Sequence, residues 1–231
     1  MMPLGRCLLI FTKSPEKGRV KTRLASSIGE GSACELYGNF VLDLLETVNI
    51  FVEGGNCGVR LYVHPPDSVR DVARWLDHQY DCRSQRGKDL GERMGNAFRE
   101  CFSEGFQQAL LLGSDIPDLP EKMIADGFAA LQDPGAVIGP SLDGGYYLIG
   151  FTSATFLPEV FAGIPWGADN VFEKTVRIFN IRNHDFSILP AQRDMDTFED
   201  LEDLMKRHRN SHFRDSRTMR YLLTALQAAK S

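Results

Sequence analysis

The chain has 231 residues, 43% of them hydrophobic and 25% charged, a composition typical of a globular protein with a sizeable core. Its formal net charge of -5 argues against a general nucleic-acid-binding protein, because such a protein needs a basic face to neutralise many phosphates. No stretch of the sequence approaches the ~20 apolar residues of a membrane span, which argues against an integral membrane protein.

The N-terminal segment predicts a buried strand followed by a basic loop. Residues 8–11 form an apolar run of the kind that makes a fully buried strand, and Pro15 and Gly18 then disfavour a helix. The loop has one acid, Glu16, and five basic residues: Lys13, Lys17, Arg19, Lys21 and Arg23. Because open α/β sheets bind ligands at this end of their strands, the loop predicts a site for a nucleotide di- or triphosphate. A solvated loop whose charges serve only solubility is the alternative.

Helical and extended patterns alternate along the rest of the chain. The sequence predicts helices over residues 32–49, 90–105, 120–131 and 169–179. It predicts a further helix that begins at an N-cap, Asp67 or Ser68, and ends at about residue 76. Short apolar runs predict strands over 59–63, 109–112, 136–139, 146–151 and 186–189. We therefore expect one domain over residues 1–231, a three-layer α/β/α fold with a mixed, mainly parallel sheet. One of the two closely spaced strands between 136 and 151 is expected to be reversed.

Residues from about 205 to 231 predict a C-terminal helical tail. Basic residues dominate its first part, between 206 and 220, and predict a solvated face. An apolar stripe is expected to dock the tail on the core, through Met219, Leu222, Leu223 and Leu226.

The five cysteines are widely spaced and match no zinc-binding or redox motif. Reduced thiols are typical of the cytoplasm, and no signal peptide is apparent in the sequence. We therefore expect a cytoplasmic protein with neither a membrane span nor a nucleic-acid partner.

Asp115 follows directly on the buried strand predicted over residues 109–112. At the carboxyl edge of a sheet, its carboxylate could hold a hard divalent ion such as Mg²⁺, which prefers oxygen ligands. A helix N-cap or an Asx-turn before Pro117 is the alternative interpretation. Next to a basic loop from the first strand, the metal-binding interpretation is favoured.

The turn at Asp143, Gly144 and Gly145 falls between two predicted strands. Paired glycines let a ligand approach the backbone, and the carboxylate of Asp143 could accept hydrogen bonds from a hydroxyl group. On spacing alone, an ordinary hairpin with an Asp-Gly turn is the better interpretation.

Asp194 and Asp196 alternate at the end of a possible strand, which puts both acids on one face. This segment could supply a second metal ligand. Thr197 and Asp200 also have the spacing of a capping box, so the segment could instead start a helix, and both interpretations can hold together.

Five segments in this order resemble the nucleotide-diphospho-sugar transferase superfamily, which has the glycosyltransferase-A fold. They are residues 13–24 (KSPEKGRVKTRL), 85–94 (QRGKDLGERM), 113–117 (GSDIP), 139–147 (GPSLDGGYY) and 194–201 (DMDTFEDL). The chain looks closest to a family of small bacterial proteins of uncertain substrate, which are similar to phospholactate and molybdenum-cofactor guanylyltransferases. The resemblance extends from residue 8 to about 204 and implies the same fold.

The resemblance also implies roles for residues near phosphates and metal. Lys21 and Arg23 would hold phosphates and act in catalysis, with Lys13 and Arg19 in support. Asp115 would be the main ligand of Mg²⁺ or Mn²⁺, also with a catalytic role. Asp196 would be the second ligand, with Asp194 in reserve.

The remaining implied roles concern the organic parts of the substrates. Leu90 and Gly91 would lie near the base or ribose. The turn formed by Asp143, Gly144 and Gly145 would lie near the second substrate. Trp166 and Asp169 would help to wall the acceptor pocket, although a core position suits Trp166 equally well.

Two motifs depart from the patterns of related enzymes. Residues 12–14 (TKS) replace the glycine-rich turn that cradles the triphosphate in sugar nucleotidyltransferases, and the carboxylates of Asp115 and Asp118 lack the D-x-D spacing of many glycosyltransferases. The expected function is a metal-dependent transferase that acts on a nucleoside triphosphate or a nucleotide sugar and a small-molecule acceptor. A nucleotide-binding protein without turnover is the alternative.

Overall fold

The computed structural model describes residues 4–55, 57–133 and 135–228, and within these ranges the chain forms seven strands and eight α-helices. The strands are β1 (Leu4–Lys13), β2 (Cys57–His64), β3 (Asp81–Ser84), β4 (Phe106–Gly113), β5 (Ala136–Pro140), β6 (Tyr146–Thr152) and β7 (Ser187–Ile188). The helices are α1 (Thr22–Ile28), α2 (Glu30–Glu53), α3 (Val69–Trp75), α4 (Leu90–Ser103), α5 (Glu121–Ala130), α6 (Val171–Ile181), α7 (Phe198–Arg207) and α8 (Arg217–Ala228). No helix in these ranges is both long and apolar enough to cross a lipid bilayer.

All seven strands belong to one sheet, in the order β3-β2-β1-β4-β6-β5-β7. β1 lies between β2 and β4 and is parallel to both, whereas β6 is antiparallel to β4 and to β5. The sheet is therefore mixed and mainly parallel, and β6 is its reversed strand, as the sequence predicts. Phe11 lies opposite Gly113, so the carboxyl ends of β1 and β4 meet at the same edge of the sheet.

The core consists of two apolar clusters, one on each face of the sheet. Leu8 and Ile10 of β1 belong to the cluster that packs under α2, α5, α7 and α8, whereas Leu9 belongs to the cluster under α4 and α6. All three side chains are 0% exposed, and burial of each such side chain contributes about 1.5–3 kcal/mol. Successive side chains of β1 thus point to opposite faces of the sheet, and helices cover both faces. This is the three-layer α/β/α arrangement, and it confirms the predicted fold class.

The sequence predicts that the basic loop extends to Arg23 and that one helix follows over residues 32–49. The structure has two helices in this region. α1 begins at Thr22, directly after the loop, and buries Leu24. Gly29, whose φ of 83° lies in the left-handed region, separates it from the 24-residue helix α2. β3 was not predicted, because its sequence is polar and its side chains are at most half-buried at the edge of the sheet.

The C-terminal tail is helical only in part. Residues between α7 and α8 form turns and one short 3₁₀ helix, and α8 then packs on the core through Met219 and Leu222. Leu223, expected in the same stripe, is 38% exposed, and the side chain of Leu226 lies outside those the structure describes.

A buried aspartate fixes the start of α8. Asp43 of α2 accepts hydrogen bonds from the backbone N–H groups of Arg217, at 3.0 Å, and Thr218, at 2.8 Å. Asp43→Ala is expected to lower the free energy of unfolding by about 1–3 kcal/mol, because two N–H groups at the helix start lose their partner. Urea denaturation followed by circular dichroism measures this change.

Glu46 provides a matched control on the same helix. Its exposed carboxylate pairs with the side chain of Arg217 at 2.5 Å and makes no other hydrogen bond within the described ranges, so Glu46→Ala is expected to cost less than about 1 kcal/mol. Equal losses in the two variants would contradict the account of Asp43 as the cap of α8.

Candidate active site

The candidate site lies at the carboxyl edge of β1, β2 and β4, where two cavities adjoin. The larger has a volume of about 610 Å³ and extends from the ends of these strands to α4 and the segment before α6. The smaller has a volume of about 220 Å³ and lies between the basic loop and the acids that follow β4 and β7. Residues common to both walls are Lys13, Arg23, Tyr37 and Asp115, so the two cavities form one continuous cleft.

Lys21 lies between two carboxylates at the bottom of the smaller cavity. Its Nζ is 2.5 Å from Oδ1 of Asp115 and 2.8 Å from Oδ1 of Asp196. Only 4% of the Lys21 side chain is exposed, whereas the two aspartate side chains are 46% and 37% exposed. The arrangement brings together the predicted phosphate-binding lysine and both predicted metal ligands.

Each charge in this group changes the pKa of its partners. Burial alone would lower the pKa of Lys21, but attraction by Asp115 and Asp196 outweighs burial and raises this pKa above its ordinary value. Burial works in the opposite direction at Asp115, where the charge of Lys21 prevails and lowers the pKa of the carboxyl group. The lysine is therefore an ammonium and Asp115 a carboxylate in the neutral pH range.

The backbone of the loop determines where Lys21 points. Lys21 has φ 48° and ψ 48°, a left-handed conformation that is unfavourable for a residue with a Cβ, and α1 begins at the next residue. Val20 beside it is buried, and the aromatic rings of Tyr37 and Phe40 lie 6.0 and 5.8 Å from the Lys21 Nζ. The loop thus buries the Lys21 side chain, whereas Arg23, two residues later, is exposed and lines both cavities.

Tyr37 of α2 connects the two strand ends that carry the site. Its hydroxyl accepts a hydrogen bond from the backbone N–H of Lys13 at 2.8 Å. The same hydroxyl lies 3.1 Å from Oγ1 of Thr12 and 2.9 Å from Oγ of Ser114. Tyr37 therefore holds the end of β1 and the residue before Asp115 at a fixed separation.

The acids after β7 reach the site through two backbone connections. Met195 N–H donates to the carbonyl of Asp115 at 3.0 Å, and Gln192 pairs with Ser141 in an isolated bridge. Thr197 and Asp200 form the predicted capping box at the start of α7, which is thereby confirmed. The segment thus starts a helix and also delivers Asp196 to Lys21.

Asp194 lines the larger cavity, and its Oδ1 is buried without a hydrogen-bond partner within the described part of the chain. Burial, with repulsion from Asp115 and Asp143, raises the pKa of Asp194 to about 7. Ordinary aspartates are fully charged at that pH, so the protonation behaviour of Asp194 differs from that of Asp115, whose pKa is lowered by Lys21.

Gln85 lines the larger cavity, and the sequence pattern predicts no role for it. Its side-chain amide donates hydrogen bonds to the carbonyls of Thr12, at 3.1 Å, and Tyr62, at 2.9 Å. Both amide hydrogens are thereby used, so the amide oxygen is the group that can meet a ligand. Its place at the head of the second motif, directly after β3, was the signal that could have identified it.

The far wall of the larger cavity is built by the turn after β5 and the segment before α6. Asp143 accepts a hydrogen bond from the N–H of Gly145 at 2.9 Å, and the carbonyl of Gly144 accepts one from Phe172 N–H at 2.8 Å. Gly144 has φ 90°, and a Cβ there would collide with the backbone carbonyl of Asp169. Trp166 packs edge-on against Tyr146, with ring centroids 6.3 Å apart.

The predicted site residues do not all reach the cleft. Leu90, Asp143, Gly145, Trp166 and Asp169 line the larger cavity. Arg19 lines neither cavity: its side chain is 67% exposed and pairs with Glu16 at 3.1 Å. Gly91 is buried behind Trp166, where a Cβ would collide with the carbonyl of Phe161. Gly144 supports the wall through its backbone and lies behind the lining residues.

Asp115 and Asp196 fit a hard divalent ion. Their oxygens already converge on one cation, the ammonium of Lys21, and carboxylate oxygens are the ligands that Mg²⁺ and Mn²⁺ prefer. Protein sites for Mg²⁺ commonly supply one or two carboxylates and leave other positions to substrate phosphates. In the described ranges no three metal-ligating side chains come together, so the candidate is a pair of ligands rather than a cluster.

Comparison with known proteins shows what the chain is similar to. The family described as "Uncharacterized protein conserved in bacteria (DUF2064)" matches residues 47–168. A crystal structure from Desulfovibrio desulfuricans G20, named a "putative nucleotide-diphospho-sugar transferase", is 37% identical, covers 99% of this chain and 98% of its own, and has a TM-score of 0.92. No functionally curated protein matches the chain by sequence.

More distant structures share the fold alone. The 4-diphosphocytidyl-2C-methyl-D-erythritol synthase of Anaerococcus prevotii DSM 20548 is 11% identical over 89% of this chain and 97% of its own, with a TM-score of 0.58. A CMP:2-keto-3-deoxy-manno-octonic acid synthetase complexed with CTP is 9% identical over 88% of this chain and 98% of its own, with a TM-score of 0.56. The 37% identical structure confirms the superfamily resemblance, and the two distant structures confirm the predicted fold alone.

Proposed function

We propose a nucleotidyl-transfer function for this chain, which belongs to the bacterial family of uncharacterized conserved proteins DUF2064. In this reaction an oxygen of a small acceptor attacks the α-phosphorus of a nucleoside triphosphate. The bond from that phosphorus to the bridging oxygen of the β-phosphate breaks, and pyrophosphate leaves. The observation that carries the proposal is the convergence of Lys21, Asp115 and Asp196 beside the cations Lys13 and Arg23 in one cleft.

The cations of the basic loop supply the charge that the reaction needs. A triphosphate carries several negative charges, and additional charge develops on the leaving pyrophosphate in the transition state. Lys13, Lys21 and Arg23 all line the smaller cavity, so phosphates placed there would meet three positive side chains. An aligned acceptor and phosphate would react through positioning and charge neutralisation, without a covalent intermediate on the protein.

Asp115 and Asp196 are the residues that would hold Mg²⁺ or Mn²⁺. Such an ion would supply Lewis-acid neutralisation of phosphate oxygens. The two carboxylates are more exposed than the lysine between them, so they remain open toward the cleft, where phosphates would complete the coordination.

The nucleoside would occupy the part of the larger cavity lined by Gln85 and Leu90. The fixed amide oxygen of Gln85 accepts hydrogen bonds, which favours a base whose edge donates one. The acceptor would occupy the wall made by Asp143, Tyr146 and Trp166, opposite the basic loop. The structural neighbours named as a CTP complex and as a diphosphocytidyl synthase support nucleotide use of this kind.

Thermal unfolding with a panel of ligands tests the proposal. Nucleoside triphosphates and nucleotide sugars are each added with and without Mg²⁺ or Mn²⁺. A ligand at ~100 times its dissociation constant adds about 2.7 kcal/mol to the free energy of unfolding, so binding is readily visible. We expect metal-dependent stabilisation by one triphosphate, followed by pyrophosphate release when candidate acceptors are supplied.

Other outcomes distinguish the alternatives. Stabilisation by nucleotide sugars alone would favour glycosyl transfer, the reaction that the name of the 37% identical relative suggests. Stabilisation by a triphosphate without pyrophosphate release across a broad acceptor panel would favour a binding protein without turnover. No metal-dependent stabilisation by any nucleotide would overturn the proposed site.

Two arginines of the same loop region provide a matched pair of variants. Arg23 lines both cavities, whereas Arg19 pairs with Glu16 and lines neither. Arg23→Ala is expected to weaken triphosphate binding by about 10- to 100-fold, the effect of losing a charge-assisted hydrogen bond. Arg19→Ala is expected to change the affinity by less than about 3-fold, because it removes only an exposed ion pair. Isothermal titration calorimetry measures both, and equal losses would show that the loop moves Arg19 to the ligand.

A further inference from the structure

Lys21 occupies the position at which the oxygens of the two candidate metal ligands converge. Its Nζ is 2.5 Å from Asp115 Oδ1 and 2.8 Å from Asp196 Oδ1. The lysine side chain is 4% exposed, so the ammonium is the inner partner and solvent reaches the carboxylates from the other side. One positive charge therefore already offsets part of the negative charge of the pair before any ligand arrives.

The contacts of the Lys21 ammonium differ from those that the proposed function assigns to it. It is expected to contact phosphates, yet both of its short contacts are with carboxylates. A divalent ion held by the same two carboxylates would repel the ammonium, because like charges a few ångströms apart in a poorly hydrated site interact strongly. The present contacts of Lys21 and a bound ion therefore exclude one another.

We propose that Lys21 is a tethered counter-ion for the candidate metal site. Without a divalent ion, it closes the gap between Asp115 and Asp196. When an ion binds there, Lys21 leaves the carboxylates and turns into the smaller cavity, where phosphates of the nucleotide take it up. The inference rests on the proposed metal site and predicts that ion and nucleotide bind cooperatively, since each relieves the cost that the other meets.

The surroundings of Lys21 allow this movement. The Lys21 Nζ lies 6.0 and 5.8 Å from the ring centroids of Tyr37 and Phe40, and within the described part of the chain its polar contacts are those with Asp115 and Asp196. Lys21 itself lines the smaller cavity together with Lys13 and Arg23, so a rotation of the side chain brings its ammonium to the same phosphates. Lys21 lies between the basic loop and the first turn of α1 and has a left-handed backbone conformation. A small change in its backbone angles would therefore not disturb any strand.

Binding of Mn²⁺ alone, measured by electron paramagnetic resonance of the free ion, tests the exchange. Lys21→Met removes the competing charge and is expected to tighten Mn²⁺ binding roughly 10-fold or more in the absence of nucleotide. Lys17→Met is the matched control, because Lys17 belongs to the same loop but lines neither cavity; its Mn²⁺ affinity is expected to equal that of the wild type. Unchanged or weaker binding by Lys21→Met would overturn the proposal.

A second measurement uses the wild-type protein and does not depend on a variant that folds. Acylation of lysines by an amine-reactive reagent, read by mass spectrometry, reports whether each amine is free. Lys21 is expected to be protected without added ion, and to become more reactive when Mn²⁺ is added, whereas Lys17 is unchanged. Equal protection of Lys21 with and without saturating Mn²⁺ would also overturn the exchange.

The same data separate this inference from the proposed function. If Mn²⁺ binds the wild type and Asp115→Asn abolishes the binding, but Lys21→Met fails to tighten it, the metal site stands and the exchange is wrong. If Mn²⁺ fails to bind the wild type, Lys21→Met and the triphosphate-loaded protein alike, the metal site and the exchange are both wrong.

Discussion

Asp115→Asn is expected to lower the rate of nucleotidyl transfer by about 10²- to 10³-fold, while the free energy of unfolding changes by less than about 1 kcal/mol. The substitution keeps the size of the side chain but removes the charge that contacts Lys21 at 2.5 Å and would hold the ion. Stability changes little, because the Asp115 side chain is 46% exposed and Lys21 keeps its contact with Asp196 at 2.8 Å. Single-turnover kinetics and urea denaturation measure the two effects.

Asp118, three residues later in the same segment, provides the opposite control. Its side chain is 7% exposed and accepts hydrogen bonds from Arg207, at 2.5 Å, and His208, at 2.8 Å. Asp118→Asn is expected to lower the free energy of unfolding by about 1–3 kcal/mol and to leave the transfer rate unchanged under conditions in which the protein is folded. If Asp115→Asn instead retains full activity, the assignment of Asp115 is wrong.

Gly144→Ala is expected to raise the KM for the acceptor at least about 10-fold and to lower the free energy of unfolding by about 1–3 kcal/mol. A Cβ at this position would collide with the backbone carbonyl of Asp169. The collision can be relieved only if the main chain moves, at residue 144 or at residue 169. The turn that holds Asp143 and the segment that holds Asp169 must then separate, and both line the acceptor wall. Steady-state kinetics with the acceptor varied, together with thermal unfolding, measures the change.

Gly29→Ala is the control that distinguishes the collision of the Cβ from the cost of a positive φ. Gly29 has φ 83°, close to the 90° of Gly144, but a Cβ there would meet nothing within 4 Å. Gly29→Ala is therefore expected to lower stability by about 1 kcal/mol through its left-handed backbone and to leave the KM for the acceptor unchanged. A similar KM for both variants would mean that the contact between Gly144 and Asp169 does not shape the acceptor wall.

The sequence predicted the sheet well because buried parallel strands leave a strong local signal. Residues 8–11 and 109–112 are apolar runs, and both lie within observed strands. Once β1 and β4 are neighbours, the basic loop and Asp115 must share one edge, so the position of the site followed from the topology. β3 left no such signal, because a polar edge strand depends on its neighbour β2 rather than on its own sequence.

Contacts within the site could not be read from the sequence in the same way. Lys21 and Arg19 look alike in a basic loop, yet one is buried between two acids and the other is 67% exposed. The difference depends on the left-handed backbone at Lys21 and on the ring of Tyr37 in α2. The sequence pattern predicts a helix that contains Tyr37, but it does not predict how that helix packs against the loop. The orientation of the Gln85 amide likewise could not be read from its place in the second motif, because it depends on the carbonyls of Thr12 in β1 and Tyr62 in β2.

The reversed direction of β6 has a consequence for how substrate range can diverge among related proteins. β6 begins at the edge where β1, β2, β4 and β5 end, so the short connection before it, residues 141–145, places Asp143 and Gly145 in the acceptor wall directly at that edge. The phosphate-binding half depends on β1 and β4 and on the loop before α1, which share no backbone with that connection. Exchanges at Asp143 can therefore alter the acceptor wall while β1, β4 and the basic loop are inherited unchanged, so substrate range can diverge at one end of the cleft independently of the other.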